Sequence, residues 1–567
     1  MPHGRQGLVA WMPAFTILLF LSPVTAGIIG TALPAFGYLP AIGGTAFSLD
    51  GWRTLLDYPG IANSIAMTIG TGFAATGISL FLVILFTAAC HGTRSFQAVR
   101  RMISPLLSVP HAAVAIGLAF FLAPSGWMVR LASPWATGFE RPPDLSLSPD
   151  PYGLTLVAAL VIKETPFLLL MLLAALSQIR ERQTLAVARS MGYGPTAAWL
   201  KTVFPQVYPL VRLPVYAVLA FSLSVVDMAA ILTPTTDPTL ALLILRWFND
   251  PDLAYQFVAA AGSVIQLAIV IAAILLWRLG EMAVAGLARS WISGGNRHTG
   301  GAGIRSLSLG TIVFLFGLGA AGLISMAVWS VARRWRFPDA LPSEWTLANW
   351  MDRTQSVESP LFVTLIVALA SVAIAVWLVV GCLENEQRNG RKLSARGLWL
   401  LYTPLIVPQI AFLFGLQVLI TIVGIEGSWL ALIWSHLLFV LPYVFLSLGD
   451  TYRALDERYA RSGFCLGLSA SGVFWRLKLP LLLRPVLIAA AVGFAVSVSQ
   501  YLPTVFAGAG RMPTLTTEAV ALSSGGDRRL IGVLVVLQTL LPFAAFLLAS
   551  AVPAWLFRNR SLMKVHA

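Results

Sequence analysis

The chain has 567 residues, of which 57% are hydrophobic and only 11% are charged, and its mean hydropathy is +0.81. This composition lies far outside the range of soluble globular proteins and places the chain in a membrane. The 38 Lys and Arg exceed the 24 Asp and Glu and give a formal net charge of +14, but their distribution follows membrane topology, so we expect no nucleic-acid partner.

About twelve apolar stretches follow one another along the chain, each close to the roughly 20 residues that cross a lipid bilayer. They predict an all-α polytopic membrane protein with about 12 transmembrane helices. The stretches lie near 8–32, 61–89, 102–124, 153–177, 210–235, 257–278, 307–331, 361–383, 398–422, 429–449, 485–508 and 529–557. The first stretch is longer than the apolar core of a signal peptide, so we expect it to remain as an uncleaved helix.

Basic residues concentrate on one side of the predicted membrane. With a cytoplasmic N-terminus, about 25 Lys and Arg lie on the cytoplasmic side and about 11 on the outer side. The positive-inside rule therefore predicts a multi-pass protein whose N- and C-termini are both cytoplasmic. One predicted outer segment, 332–360, opposes this rule because it contains Arg333, Arg334, Arg336 and Arg353.

The second half of the chain repeats features of the first half. Gly192 and Pro205 recur 275 residues later as Gly467 and Pro480, and the same offset carries the Pro-Thr-Leu of 238–240 onto that of 513–515. Several markers in one frame indicate a tandem duplication.

A Gly-rich, polar run separates the two halves and is typical of a flexible linker. We therefore predict a first six-helix domain at 1–278, a cytoplasmic linker at 279–306 and a second six-helix domain at 307–567. Duplicated six-helix halves also occur in ion-driven secondary carriers, so this organisation alone does not decide the mechanism.

The loops that follow the fourth helix of each half, about 178–209 and 450–484, resemble the EAA loop of binding-protein-dependent ABC transporter permeases. In that loop a Gly follows an acidic residue by six positions and a Pro follows the Gly by thirteen, and both loops here keep the Gly and the Pro. The segments 222–240 and 493–526 resemble those of the fused permeases of Ynj-type importers, and the fused thiamine and ferric-iron permeases are more distantly similar. The resemblance extends over nearly the whole chain.

The resemblance implies that each EAA-type loop docks on a separate ATPase and transmits its closure to the membrane helices. The implied coupling residues are Ala186, Ala188, Gly192 and Pro205 in the first loop and Arg461, Gly463, Gly467 and Pro480 in the second. Ala186 and Arg461 occupy the position where the family has an acidic residue, and Glu181, Asp456 and Glu457 are its candidate substitutes. A Gly can end a helix in the left-handed conformation, and a Pro can fix the junction with the next helix, so we expect a rigid elbow.

The resemblance also implies a bacterial inner-membrane permease that works with an ABC ATPase, in two copies, and with a periplasmic substrate-binding protein. The sequence contains no GxxxxGK[ST] phosphate loop, so ATP and Mg would be bound by the partner, and this chain would be a transport subunit without a cofactor of its own. The cysteines Cys90, Cys382 and Cys465 are widely separated, and their spacing predicts neither a disulfide framework nor a metal site.

Polar residues within apolar stretches are costly and are therefore candidates for a translocation path. The candidates are His111, Lys163, Glu164, Asp227, Gln409, His436 and Gln500. Asp227 aligns within two residues with Gln500 in the duplication, and His111 and Gln409 each follow a Pro that interrupts the third helix of its half. Lys163 and Glu164 point about 100° apart on a helix, so a buried ion pair with partners elsewhere, or hydrogen bonds between helices, is the alternative explanation for them.

Two other functions are compatible with parts of the sequence. An ion-driven secondary carrier would use Lys163, Glu164, Asp227 and His111 as a relay, whereas a membrane enzyme would need a cluster of catalytic residues that the sequence does not show. The substrate stays open among thiamine-like cations, metal chelates and small oxyanions.

Overall fold

The structure is a computed structural model that describes residues 8–144, 147–295, 297, 302–351, 354–390 and 403–558. In these residues, eleven helices are long and apolar enough to cross a membrane, and a shorter apolar helix covers Ile410–Val423. The predicted all-α polytopic architecture with about 12 membrane helices is thereby confirmed. Residues 398–402, the start of the stretch predicted at 398–422, lie outside the described residues.

The first half consists of helices joined by short loops. Its helices are α1 (Met12–Ala35), α2 (Asp50–Leu56), α3 (Ile61–Cys90), α4 (Arg94–Ser108), α5 (His111–Leu122), α6 (Trp127–Ala132), α7 (Leu154–Leu176), α8 (Glu181–Ser190), α9 (Pro195–Ala198), α10 (Phe204–Ser224), α11 (Asp227–Leu232), α12 (Leu240–Phe248) and α13 (Tyr255–Ser293).

The second half follows the same plan and adds a short β-hairpin after its first helix. Its elements are α14 (Ala302–Ser330), β1 (Ala332–Arg334), β2 (Glu344–Trp345), α15 (Ala348–Met351), α16 (Thr354–Asn389), α17 (Ile410–Val423), α18 (Trp429–Arg453), α19 (Glu457–Cys465), α20 (Ala470–Val473), α21 (Leu479–Val498), α22 (Leu502–Gly508), α23 (Leu515–Ser523) and α24 (Arg528–Leu556). The two strands pair antiparallel.

Four apolar stretches of the sequence are divided in the described part of the structure, and one of them, 398–422, is divided at Val407 and Pro408. The chain leaves the helical conformation at Val109 before Pro110, at Val225 between α10 and α11, and at 499–501 between α21 and α22. The interruption that the sequence predicts at Pro110 is therefore confirmed, and the predictions of unbroken helices at 210–235 and 485–508 are wrong. At Pro110 the cause is local, because a Pro has no N–H and disfavours the helical conformation of the residue before it.

The carbonyls freed at these breaks are hydrogen-bonded within the protein. Lys163 donates to the carbonyls of Leu106 and Val109, at 3.2 and 2.5 Å. Gln266 donates to the carbonyl of Leu223 at 3.0 Å. In the second half Thr516 donates to the carbonyl of Val498, and Gln538 donates in turn to the Thr516 hydroxyl. Backbone breaks at membrane depth persist only when such partners are present.

Helix α13 is far longer than a bilayer requires. Its 39 residues span about 58 Å at 1.5 Å per residue, against a hydrocarbon thickness of about 30 Å. The helix therefore continues through 279–293 of the predicted linker and ends where the Gly-rich run, from which flexibility is predicted, begins. Of the remaining linker, residues 296 and 298–301 lie outside the described part of the chain.

The first membrane helix of each half packs against a helix of the other half. Helix α1 packs on α17 and α14 packs on α5, and both crossings are made by glycines. A Cβ on Gly30 would lie 3.0 Å from the Gly415 Cα, and a Cβ on Gly117 would lie 2.9 Å from the Gly322 carbonyl carbon. The contacts are thus backbone against backbone, as small residues allow in membranes.

The β-hairpin accounts for part of the arginine excess in 332–360. Arg333 and Arg334 lie on its exposed surface, 3.7 and 3.8 Å from the Glu344 carboxylate. The half-exposed carboxylate partly offsets both charges. Arg353 lies outside the described residues.

Replacing Gly415 by Val should destabilise the crossing of α1 and α17, since the added side chain meets backbone atoms of α1. Overpacking of this kind costs about 1–3 kcal/mol. The melting temperature of the purified protein, measured by intrinsic tryptophan fluorescence, should fall. Gly317→Val is the matched control because Gly317 lies exposed on α14 with no atom within 4 Å of a Cβ. Equal melting temperatures for the two variants would contradict this packing.

Candidate functional site

The first EAA-type loop contains a helix that ends in a left-handed glycine. Helix α8 is followed by Gly192 at φ 84°. The Gly192 N–H donates to the Arg189 carbonyl at 2.9 Å, and the Tyr193 N–H donates to the Ala188 carbonyl at 3.2 Å. This pair of bonds is a Schellman motif, which satisfies carbonyls that a helix end leaves free.

The second EAA-type loop has the same geometry. Helix α19 is followed by Gly467 at φ 78°, whose N–H donates to the Phe464 carbonyl at 3.0 Å. The Leu468 N–H donates to the Gly463 carbonyl, also at 3.0 Å. The conformation predicted for the two glycines is confirmed, and Ala188 and Gly463 are equivalent as the acceptors three residues before the helix cap.

The prolines do not interrupt the chain in the way the sequence suggests. Pro205 and Pro480 each follow a single turn of π-helix, at Trp199–Val203 and Phe474–Lys478, and helical structure continues through both into α10 and α21. The wider π-turn accommodates a ring that would clash with a carbonyl in an α-helix. The elbow therefore bends at the glycine, and beyond it each loop is continuous with the fifth membrane helix of its half.

The first loop is fastened to the end of α13. Lys201 donates to the Gly294 carbonyl at 2.9 Å, and its ammonium lies 4.8 Å from the centre of the Trp291 ring. The Gly194 N–H donates to the Arg297 carbonyl at 3.0 Å. The connection between the halves is thus a part of the first loop's support.

The second loop is fastened instead to the end of α16. The Glu384 carboxylate, which is 6% exposed, lies 2.7 Å from the Lys478 ammonium. Glu384 also accepts from the Tyr452 hydroxyl and from Arg388, both at 2.7 Å. Four side chains from α16, α18 and the π-turn before α21 therefore form one nearly buried network.

Both loops lack a free acidic residue at the position where the resembled family has one. Arg461 pairs with Glu457 at 2.9 Å on the surface, and Ala186 is exposed. Glu181 lies 2.8 Å from His91, so this candidate substitute is already engaged. Asp456 caps its own helix by accepting from the Arg458 N–H.

Each EAA-type loop exposes large apolar side chains among its charged residues. Val187 and Met191 are 62% and 56% exposed on the first loop, and Phe464 and Leu466 are 52% and 81% exposed on the second. Met191 and Leu466 occupy corresponding positions of the two loops, and exposed apolar residues that lie together are typical of a protein-binding surface.

Among the path candidates, the structure brings together His111, Glu164 and Asp227. His111 Nε2 lies 3.7 Å from the Glu164 carboxylate, and the Asp227 carboxylate is within electrostatic range of the imidazole. The Phe221 ring packs on the imidazole at a centroid distance of 4.8 Å. Tyr501 of the second half lies within electrostatic range of Asp227. The cluster therefore lies where the two halves meet.

The other path candidates have different surroundings. The Lys163 ammonium turns to the carbonyls at the Pro110 break, as the alternative of hydrogen bonds between helices predicted. His436 is 1% exposed and hydrogen-bonded to Ser497 and Thr504, each at 2.9 Å, so it joins α18 to α21 and α22. Gln409 and Gln500 are half-buried beside the breaks of the second half. Over the described residues, no three His, Cys, Asp or Glu side chains form a group suited to a metal ion.

Sequence reasoning missed two sets of residues. The Glu384 network was missed because Glu384 lies at the end of an apolar stretch, although Arg388 four residues later and Lys478 next to the repeated Pro were available as signals. Phe221 and Tyr501 were missed as neighbours of the charged cluster because aromatic residues are common in membrane helices.

Comparison with known proteins gives one match over nearly the full length. The chain is 32% identical over 516 residues to the inner membrane ABC transporter permease protein YnjC of Escherichia coli K12, covering 90% of this chain and 92% of that protein. It is 26% identical over 153 residues to the spermidine/putrescine transport system permease protein PotC of the same strain, covering 27% of this chain and 53% of PotC. No protein-family model matches the chain.

Replacing Glu384 by Gln should leave the Lys478 charge buried without its counter-charge. Breaking a buried pair in this way costs about 3–5 kcal/mol, so we expect a lower melting temperature. Glu457→Gln is the matched control because its pair with Arg461 is 69% and 75% exposed and contributes little. The account of the second loop's support fails if both variants melt together with the unmodified protein.

Proposed function

The chain belongs to the family of inner-membrane ABC transporter permeases, and on this premise we propose that it is the permease subunit of a binding-protein-dependent importer. It is a multi-pass membrane transport subunit and not an enzyme. The proposal adds that the two halves enclose the substrate's path and that the EAA-type loops couple this path to ATP hydrolysis on partner chains.

The observation that carries the proposal is the identical geometry of the two loops. Each loop ends a short helix in a Schellman motif and then continues through a π-turn into the fifth membrane helix of its half. A displacement of either loop must therefore move α10 or α21, because no flexible joint lies between them. This is the property that a coupling element needs.

Because the two loops have the same turn geometry, we expect them to bind two equivalent partner chains. We propose that each loop binds one copy of an ABC ATPase through its exposed apolar residues, and that ATP and Mg are bound there. Ala186 and Arg461 stand at the position of the family's acidic contact, so the neighbouring exposed apolar residues would make the contact instead. A periplasmic substrate-binding protein would dock at the opposite end, near the β-hairpin.

This arrangement orients the chain in the membrane. The loops, and with them both termini, would be cytoplasmic, as the positive-inside rule also favours. The domains would be 1–278 and 307–567, joined by a connection at 279–306 that is mostly helical and supports the first loop. An ion-driven carrier, which rested on the duplicated six-helix plan, is set aside because the match to an ABC permease spans 90% of the chain.

The path would run between the halves at the helix breaks. His111, Glu164 and Asp227 would line it from the first half, and Gln500 with Tyr501 from the second. Lys163 and His436 would hold the walls together and not touch the substrate, because both side chains are buried and hydrogen-bonded to neighbouring helices. Gln409 would lie on the wall opposite His111.

Coupling can be tested with Gly192→Val combined with Gly467→Val. A β-branched side chain is strained at φ near +80°, so both Schellman motifs should be disrupted. With the cognate ATPase and loaded binding protein in proteoliposomes, ATP hydrolysis should lose most of its stimulation by the binding protein. The complex should still assemble, as judged by co-purification of the ATPase.

Gly424→Val provides the matched control. Gly424 also has a left-handed φ, of 76°, but it follows α17, away from both loops and their supports, and no atom lies within 4 Å of a Cβ there. This variant should keep the stimulated hydrolysis. Full stimulation in the double loop variant would overturn the coupling role, and an unmodified chain that never recruits an ATPase would overturn the importer function as a whole.

A further inference from the structure

We infer that the cluster of Asp227, Glu164 and His111 makes the path selective for positively charged solutes. This inference rests on the proposed path between the halves and assigns it a substrate class, organic cations.

Two of the charged residues lie directly at helix breaks. His111 is the first residue of α5 and Asp227 is the first residue of α11, so each follows an interruption of a membrane helix. Interrupted helices at membrane depth are where transport proteins form binding sites, since the irregular backbone must lie in protein or beside a cavity.

Within the described residues, no Lys or Arg nitrogen forms a salt bridge with Asp227 or Glu164. Asp227 is 8% exposed, and within the described part of the chain no Lys, Arg or His nitrogen lies within 4.0 Å of its carboxylate. Glu164 is within electrostatic range of Lys163, but the Lys163 ammonium is turned to two backbone carbonyls. The two buried carboxylates thus lack a lysine or arginine counter-charge at salt-bridge distance, and a cation that enters the path can supply it.

The two sides of the proposed path, one from each half of the chain, differ in charge. At the corresponding breaks the second half has Gln409 and Gln500, which are neutral, and it contributes the Tyr501 ring beside Asp227. The first half contributes the Phe221 ring against His111. A buried carboxylate flanked by aromatic rings attracts a cation through its charge and through the faces of the rings.

The charge of the path can be measured without knowledge of the natural substrate. Cys465, which is exposed, is replaced by Ser, and Gln500→Cys places a thiol on the neutral wall. The chain is assembled in nanodiscs with a hydrolysis-deficient variant of its ATPase. ATP is then added, so that the complex stays in its ATP-bound state. The thiol is then allowed to react with a cationic reagent, 2-(trimethylammonium)ethyl methanethiosulfonate, or an anionic one, 2-sulfonatoethyl methanethiosulfonate.

The ratio of the two reaction rates reports the local potential, because any change in thiol reactivity affects both reagents equally. The cationic reagent should react faster, and Asp227→Asn should lower the ratio by about tenfold, since the lost charge acts on the two reagents with opposite sign. Asp227→Glu should restore the ratio and shows that the site still folds. Asp252→Asn, which removes a carboxylate from an exposed outer loop, should leave the ratio unchanged.

The possible outcomes distinguish a failure of the cation selectivity from a failure of the proposed path. If the thiol reacts readily but shows no preference for the cation, or if Asp227→Asn leaves the ratio unchanged, the cation selectivity is wrong while the path stands. If the thiol reacts with neither reagent in the ATP-held complex, the path itself does not run past Gln500, and the proposed function fails together with the inference.

Discussion

The structure depends first on the constraint that lipid offers no hydrogen-bond partner to the backbone. A chain that interrupts its membrane helices must supply those partners itself. Lys163 does so at the Pro110 break, Gln266 at the end of α10, and Gln538 with Thr516 at the end of α21. Gln266 and Gln538 are both fully buried, one from the last membrane helix of each half. Because the breaks are stabilised in this way, irregular backbone and charged side chains can gather at the centre of the molecule.

The two halves share their helix crossings and their loop turns. They differ in the supports of the loops and in the charge of the residues at the helix breaks. The glycine crossings are reciprocal, with α1 on the second half and α14 on the first, so neither half can move without carrying a helix of the other. The EAA-type loops share their turns and their π-helical continuation. Their supports differ, since the first rests on the connection between the halves and the second on the buried Glu384. The charged residues of the proposed path come from the first half only.

The sequence predicts those parts of the structure that depend on long apolar stretches or on residues repeated in both halves. Composition and apolar length give the membrane helices, and the shared frame of Gly192 with Gly467 gives the left-handed turns. The sequence does not predict the breaks at Val225 and at 499–501, because neither has a Pro at the point of interruption, as the break at Pro110 does. The exchange of first helices is equally hidden, since a Gly that permits a close crossing looks the same as any other membrane glycine. Of the seven path candidates, the sequence could not separate the three that meet from those, such as Lys163 and His436, that are bonded to neighbouring helices, because this depends on contacts between distant segments.

The central claim is that ATP bound by partner chains draws the two loops together and so moves the halves. The most direct test is a distance measurement by double electron–electron resonance in the assembled complex. Spin labels are attached at Ser177→Cys and Thr451→Cys, two exposed residues at the ends of α7 and α18 that lead into the loops. The exposed Cys465 is replaced beforehand. The account predicts that the distance shortens when a hydrolysis-deficient ATPase binds ATP, and that it stays long in the absence of nucleotide. The same distance distribution with and without ATP, in a complex shown to bind the nucleotide, would contradict it.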